Sequence, residues 1–82
     1  MTHWNIKCTV EKVDSRLDAV KGELTVIGLS GEAEGFLIEL PSTQLRVVPR
    51  PGMELVALIV NGSVKTMILD GQDAYTNNSL PE

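Results

Sequence analysis

The sequence predicts an all-β fold, a small, partly open Greek-key barrel of about five to seven short strands. Three observations support this prediction. Apolar residues alternate with polar ones from Trp4 to Glu11, which is typical of a strand with one buried face. Asn61-Gly62 stands between two β-rich runs and indicates a two-residue hairpin turn. Turn residues recur roughly every 8–12 residues, and no stretch carries a long helical period.

Each predicted strand is bounded by turn residues. The strands span Trp4–Val13, Glu23–Leu29, Phe36–Leu40, Met53–Val60 and Ser63–Leu69, with Gln72–Tyr75 as a short final strand. Asp14-Ser15 is interpreted as a turn, and Leu17–Lys21 as a segment where a short helical turn is an alternative. Gly28, inside the second strand, indicates a bulge or sharp bend. Met53–Val60 is apolar on both faces apart from Glu54, which favours a central strand.

The predicted core consists of the residues that alternate along one face of each strand. They are Ile6, Cys8, Val10, Leu24, Val26, Phe36, Ile38, Leu55, Ala57 and Ile59. Phe36 is in phase with Ile38 and Leu40, which favours a core position over a stacking platform for bases.

The chain is expected to form one domain over residues 1–75, followed by a disordered tail over residues 76–82. An OB-type barrel is the preferred architecture, because small size and a partly open Greek-key barrel occur together in it. A short extended piece, Leu45–Val48, follows the third strand. Pro49 and Pro51 then fix the backbone before the fourth strand and can blunt one sheet edge.

The charge balance bears on the class of partner. The net charge is −4, and the seven Lys and Arg residues are scattered along the chain. Contacts to phosphates dominate nucleic-acid affinity, and they need a basic patch. We therefore expect no tight binding to DNA or RNA by the isolated chain.

The sequence offers little for catalysis or metal binding. Cys8 is the only cysteine and His3 the only histidine, so neither a disulfide within the chain nor a four-ligand zinc site is expected. With no acid/base pair or nucleophile set, the prediction is a protein that is not an enzyme and needs no cofactor. The lone thiol, the lack of a signal-peptide pattern and an apolar run of only Leu55–Val60 predict a cytoplasmic, reducing location without membrane insertion.

The order of features from Ile6 to Val60 carries a family resemblance. Its closest part is Phe36–Leu40, then Leu45-Arg46-Val47 and Pro49, then Gly52-Met53-Glu54-Leu55. This stretch resembles the small OB-fold subunit shared by the eukaryotic nuclear RNA polymerases, which has a counterpart in the archaeal RNA polymerase. That family has an apolar–acidic–apolar strand, an extended piece ending in Pro, and a Gly followed by an acidic residue.

The chain also departs from that family. Met53 separates the Gly from the acidic residue. The long acidic insertion of the eukaryotic members is absent, and only Met67, Gly71 and Tyr75 echo their tyrosine-rich final strand.

The resemblance implies a non-catalytic accessory subunit of a DNA-dependent RNA polymerase that docks on the largest subunit. The alternative is a stand-alone OB-type binding module, or a homo-oligomeric β domain, that recognises a protein or a small ligand. In either case we expect docking through a sheet edge and its adjoining loop.

The residues predicted to bind the partner lie on the extended piece, on the proline-rich connection after it and on the outer strand of the hairpin. They are Leu45, Arg46, Val47, Arg50, Met67 and Leu69. An edge strand with unpaired backbone groups invites pairing with another chain, and apolar residues beside it would bury on docking. The alternative is that Val47, Met67 and Leu69 complete the domain's own barrel.

Overall fold

The computed structural model describes residues 3–79, and strands account for most of them. The strands are β1 (His3–Asp18), β2 (Gly22–Gly31), β3 (Leu37–Pro41), β4 (Glu54–Val60), β5 (Ser63–Leu69) and β6 (Gln72–Thr76). A 3-10 turn over Ser42–Gln44 follows β3 and was not predicted. The all-β prediction is confirmed, and the bounds of β5 agree with the sequence to the residue.

The six strands form one antiparallel sheet in the order β3-β2-β1-β4-β5-β6. The first three strands are consecutive neighbours, and β4 returns to lie beside β1, which is the Greek-key arrangement. β1 joins the two halves, because His3–Thr9 pair with β4 and Cys8–Asp18 pair with β2. Residues of every strand contribute to one hydrophobic core. The structure is therefore a small, partly open Greek-key barrel, as the sequence predicts.

A bulge bends β1 near its middle. The register against β2 shifts between Val10 and Lys12, and Lys12 then pairs with Gly28. A Cβ atom on Gly28 would lie 3.0 Å from Cγ of Lys12. Glycine at this position therefore leaves room for the aliphatic part of the Lys12 side chain. The bulge predicted from Gly28 is thus present at this point of the sheet. The extra residue of the bulge, however, lies on β1 and not on β2, the strand of Gly28.

Two tight hairpin turns set the register of the C-terminal strands. Asn61 and Gly62 have φ angles of 51° and 84°, and Asp70 and Gly71 have φ angles of 48° and 80°. Positive φ at both central residues is the requirement of a type I′ turn. The predicted hairpin at Asn61-Gly62 is therefore confirmed.

The distal part of the β1–β2 hairpin differs from the prediction. Asp14 and Ser15 pair with Val26 and Thr25, so the turn predicted at Asp14-Ser15 is wrong. The helical alternative for Leu17–Lys21 is wrong too, since β1 continues to Asp18. Pairing with β2 satisfies the backbone of this polar stretch, and such tertiary context outweighs local turn preference.

The turn that joins β1 to β2 is organised by Asp18. Its Oδ1 accepts hydrogen bonds from the backbone N–H groups of Val20 and Lys21, both at 2.8 Å. An aspartate that bonds the backbone two residues ahead is a common way to hold a turn.

These bonds lead to a prediction for acidic pH. The N–H groups of Lys21 and then Val20 hold the pKa of Asp18 below its ordinary value of 3.8. A lowered pKa means that the carboxylate stabilises the turn above pH 3.8, and that this contribution is lost as pH falls through the lower, folded value. We expect an NMR titration of Asp18 to give that lower pKa, with the Val20 and Lys21 amide shifts following it. In Asp18→Asn, those amide shifts should no longer titrate; an unchanged amide titration would contradict the assignment.

The core is largely the predicted one. Eight of the ten predicted residues are buried: Ile6, Cys8, Val10, Leu24, Ile38, Leu55, Ala57 and Ile59. Val26 is only half-buried. The β2 residues in the core cluster are Ile27 and Leu29, so in this part of β2 the inward-facing positions lie one residue later than predicted. Phe36 is half-buried as well, and its ring meets that of Trp4 edge to face at 5.7 Å.

The predicted disordered tail begins too early. Thr76 is the last residue of β6. The N–H group of Asn77 donates to the Lys65 carbonyl at 2.8 Å, which continues the sheet contact one residue further. The rest of that prediction, for residues 80–82, lies outside the described residues.

Candidate functional site: the open seam of the barrel

One end of the sheet is covered by the chain itself. Residues 45–53, called the strap, run from the 3-10 turn to β4 and pass along β6. The N–H group of Arg46 donates to the carbonyl of Ala74 at 2.8 Å. Nη2 of Arg46 also contacts Oδ1 of Asp73 at 2.8 Å and Oγ1 of Thr76 at 2.9 Å. The strap therefore protects the outer edge of β6.

The far end of the strap is tied to β1. The N–H group of Val10 donates to the Met53 carbonyl, and the N–H group of Gly52 donates to the Val10 carbonyl, both at 2.9 Å. The side chains of Leu45, Val47 and Met53 pack against the core. Hydrogen bonds at both ends and apolar contacts between them fix the path of the strap.

The other end of the sheet, β3, has no such cover from the described residues. Within residues 3–79, β3 pairs with β2 alone. Its inward residues Ile38 and Leu40 are buried. Its outward residues Leu37 and Glu39 are exposed, and Leu37 is 55% accessible. The Glu39 carboxylate forms an ion pair with the Arg16 guanidinium at 2.9 Å. β3 is thus an edge strand that presents backbone groups and an apolar side chain to a partner.

A cleft of about 610 Å³, called the seam cleft, lies beside this edge. One wall includes Phe36, Ile38 and Leu40, and the opposite wall includes Ser63, Val64 and Tyr75. β6 pairs with β5 from Thr66 to Leu69, and Asn77 bonds the Lys65 carbonyl, so Ser63 and Val64 at the start of β5 are left to border the cleft. The seam is where the curled sheet does not close on itself.

The predicted partner-binding residues do not form one surface. Met67 and Leu69 are fully buried, so their predicted position beside an available edge strand is wrong. Its physical reason is that β6 pairs with β5, which makes β5 an internal strand instead of an edge. These two residues complete the domain's own barrel, which was the alternative. Leu45 and Val47 are half-buried against the core.

The two predicted arginines are exposed, with different surroundings. The Arg46 side chain binds β6 of its own chain. Arg50 is exposed on the strap, and its N–H group donates to Sδ of Met53 at 3.3 Å. Arg46 therefore serves the fold, while the docking role predicted for Arg50 stays a prediction.

The open edge at β3 was missed by sequence reasoning, although a signal exists. Pro41 ends β3, and a proline in a strand is typical of a sheet edge because it cannot donate to a neighbour. The prolines predicted to blunt an edge, Pro49 and Pro51, lie on the strap, outside any strand. Pro41 is therefore the proline that indicates where the sheet ends.

Two findings concern metal binding and the only cysteine. Residues 3–79 hold no group of three or more His, Cys, Asp and Glu side chains that could bind a metal ion. Burial, and to a lesser extent the charge of Glu32, raises the pKa of the Cys8 thiol above its ordinary value of 9.0. Cys8 is thus a neutral core residue at physiological pH.

Comparisons with known proteins found no match to a family model, a curated protein or a solved structure. The resemblance to the polymerase subunit therefore stays a prediction. Over residues 3–79 there is also no helix long and apolar enough to cross a membrane.

Proposed function

We propose that this chain is a non-catalytic protein-binding module that engages its partner through the free edge of β3 and the seam cleft. One observation carries the proposal: the strap covers the outer edge of β6, while the edge of β3 opens onto a cleft. Proteins usually protect sheet edges, because an exposed row of N–H and C=O groups pairs readily with another chain. An edge left open beside a cleft, with the exposed side chain of Leu37 on its strand, supports a role in binding.

The charge of the chain favours a protein over a nucleic acid as that partner. The net charge is −4. The charged residues that line the cleft are Lys21 and Glu39, one of each sign, so the cleft offers no basic track for phosphates. Its exposed lining is mostly polar, and the exposed apolar side chain of Leu37 stands among it, a mixture that suits the rim of a protein interface.

The family resemblance suggests a particular partner, the largest subunit of a DNA-dependent RNA polymerase. In that case the chain is an accessory or assembly subunit. The runner-up is a stand-alone module that binds another protein or a small ligand, or that associates with itself. Co-purification from native cells separates these: polymerase subunits in stoichiometric amounts support the first, and a self-associated chain supports the runner-up.

Substitution at Leu37 tests the binding surface itself. Leu37→Glu places a charge beside the open edge, where an apolar contact is lost on docking. Because Leu37 is 55% accessible, the fold should tolerate the change. We expect the affinity for the co-purified partner to fall at least about tenfold, equivalent to about 1.4 kcal/mol, by titration calorimetry.

The matched control is Leu17→Glu. Leu17 is also an exposed leucine, 82% accessible, but it lies near the tip of the β1–β2 hairpin. We expect this variant to bind like the unchanged chain. Equal affinities for both variants, with intact folds by circular dichroism, would remove β3 from the interface and overturn the proposed function.

A further inference from the structure

A lysine of β1 reaches toward the open edge of β3, and its position indicates the chemistry that a partner carries there. We propose that Lys12 binds a carboxylate of the partner protein beside the apolar contact of Leu37, a role that rests on the proposed docking at β3. Gly28 is the positioning residue of this contact. The bulge in β1, the missing Cβ atom at Gly28 and the charges of the outer face each support it.

The bulge in β1 turns Lys12 to the outer face of the sheet. Before the bulge, Cys8 and Val10 face the core. After it, Val13 packs against the core and pairs with the buried Ile27 of β2. Without the extra residue, the alternation along the strand would point Lys12 inward. Bulges are frequent beside functional sites, where they re-aim a side chain in this way.

Gly28 leaves a path for the Lys12 side chain over β2. The two residues are register partners, and Gly28 pairs in turn with Leu37 of β3. A Cβ atom on Gly28 would lie 3.4 Å from Cε of Lys12 and 3.7 Å from Cδ2 of Leu37. The end of the Lys12 side chain therefore lies over Gly28, close to the exposed leucine of the edge strand.

The backbone itself does not require glycine at position 28. Each of the other six glycines has a positive φ angle, whereas Gly28 does not. A glycine inside a strand weakens it, because glycine has no side chain to pack and loses more conformational freedom on folding. The feature that explains Gly28 is the Lys12 side chain that lies over it.

The charges of the outer face leave the Lys12 ammonium group without a carboxylate of its own. Glu39, the acidic residue of β3, is bound by Arg16 at 2.9 Å. Asp14 shares the outer face with Lys12, two residues further along β1. Within residues 3–79, neither Asp14 nor any other carboxylate lies within 4.0 Å of the Lys12 ammonium group.

Docking on Leu37 takes the neighbouring ammonium group of Lys12 out of water. A cation that loses water is costly unless an opposite charge replaces it. A carboxylate next to an apolar side chain is therefore the partner chemistry that fits this place. A glutamate at position 37 would attract Lys12 and repel that carboxylate, so the loss expected for Leu37→Glu agrees with the contact.

The partner protein that co-purifies from native cells is the probe for this contact. Lys12→Met removes the charge and keeps most of the aliphatic length, so we expect at least a tenfold weaker affinity by titration calorimetry. The matched control is Lys7→Met. Lys7 is also exposed on β1, but it pairs with Val56 of β4, away from β3. This variant should bind like the unchanged chain.

Gly28→Ala tests the positioning role. The added Cβ atom would lie 3.0 Å from Cγ of Lys12, so it displaces the side chain and keeps the charge. We expect at least a threefold loss of affinity for the co-purified partner. In the Lys12→Met background, the same substitution should have no further effect, whereas a general weakening of the fold would act equally in both backgrounds. In the isolated chain, the NOE between the Lys12 Hε and Leu37 methyl protons should be lost.

Carbodiimide cross-linking identifies the group that Lys12 meets. The reagent activates a carboxylate of the partner, and Nζ of Lys12 displaces the urea to form an amide bond where the two groups are in contact. Mass spectrometry of the complex should find Lys12 joined to an aspartate or glutamate of the partner. The yield of this product should fall in Gly28→Ala.

Three outcomes overturn the role of Lys12. They are equal affinities of Lys12→Met and Lys7→Met, equal effects of Gly28→Ala in both backgrounds, and cross-links from other lysines with none from Lys12. The proposed function fails separately, when Leu37→Glu binds like its control. A partner that is sensitive to Leu37→Glu but not to Lys12→Met would keep β3 as the interface and leave the Lys12 ammonium group in water at its rim.

Discussion

Met67→Ala should lower the free energy of unfolding by about 2–5 kcal/mol. Met67 is fully buried, and it pairs with Ala57 on β4 and Tyr75 on β6. Truncating its side chain leaves a cavity that the surrounding strands cannot easily collapse into. Because small domains are stabilised by only about 5–15 kcal/mol, this loss is a large share of the total. Urea unfolding followed by circular dichroism measures it.

Ile68→Ala is the matched control for that measurement. Ile68 is the next residue on β5, is 37% accessible and lies on the outer face opposite Val56. Since most of the cavity penalty is absent there, we expect a loss of about 1 kcal/mol or less. Equal losses for the two variants would contradict the placement of Met67 in the core and reopen it as a docking residue.

The parts of the fold that the sequence could predict depend on local signals. β5 is bounded by Asn61-Gly62 and Asp70-Gly71, and both pairs take positive φ angles that few other residues adopt easily. Alternation along Trp4–Glu11 predicts that Ile6, Cys8 and Val10 lie in the core, and all three are buried. Such patterns depend on residues close in sequence, so no knowledge of the chain path is needed.

The parts that could not be predicted depend on contacts distant in sequence. The polar stretch Asp14–Asp18 has no apolar alternation of its own, and it becomes strand through its pairing with β2. Lys65 and Thr66 suggest a position near the surface for Met67 and Leu69, because polar neighbours are typical of an edge strand. Only the pairing of β6 with β5 shows that this strand is internal.

The candidate site was missed for the same reason. The alternation of Leu37, Ile38, Glu39 and Leu40 predicts which side chains face out, but not that β3 ends the sheet. The identity of an edge depends on where the strap runs. The first residues of the strap, Leu45–Val47, are themselves the predicted docking piece, since they form a short apolar and basic segment beside prolines. In the structure this segment docks, but onto its own chain.

Arg46→Pro should release the strap from β6 and lower the free energy of unfolding by about 1–3 kcal/mol. Proline removes the N–H group that donates to the carbonyl of Ala74 at 2.8 Å. Ala74 is fully buried, so its carbonyl loses a partner where water has poor access. The preceding residue, Leu45, has extended backbone angles of −83° and 128°, which are compatible with a following proline. Chemical unfolding and the exchange rates of the β6 amides measure the effect.

Arg46→Ala separates the backbone bond from the side-chain contacts. It keeps the N–H group and removes only the guanidinium, whose ion pair with Asp73 is solvent-exposed and should contribute about 1 kcal/mol or less. If the strap protects the edge of β6 through its backbone, Arg46→Pro should lose more stability than Arg46→Ala. The Arg46→Pro variant should also self-associate as its concentration rises, because the edge of β6 is then open as well as that of β3. Indistinguishable behaviour of the two variants would show that the main-chain bond does not hold the strap. The proposed binding role depends on β6 being covered while β3 is open. Contacts other than the Arg46–Ala74 bond would then have to keep β6 covered.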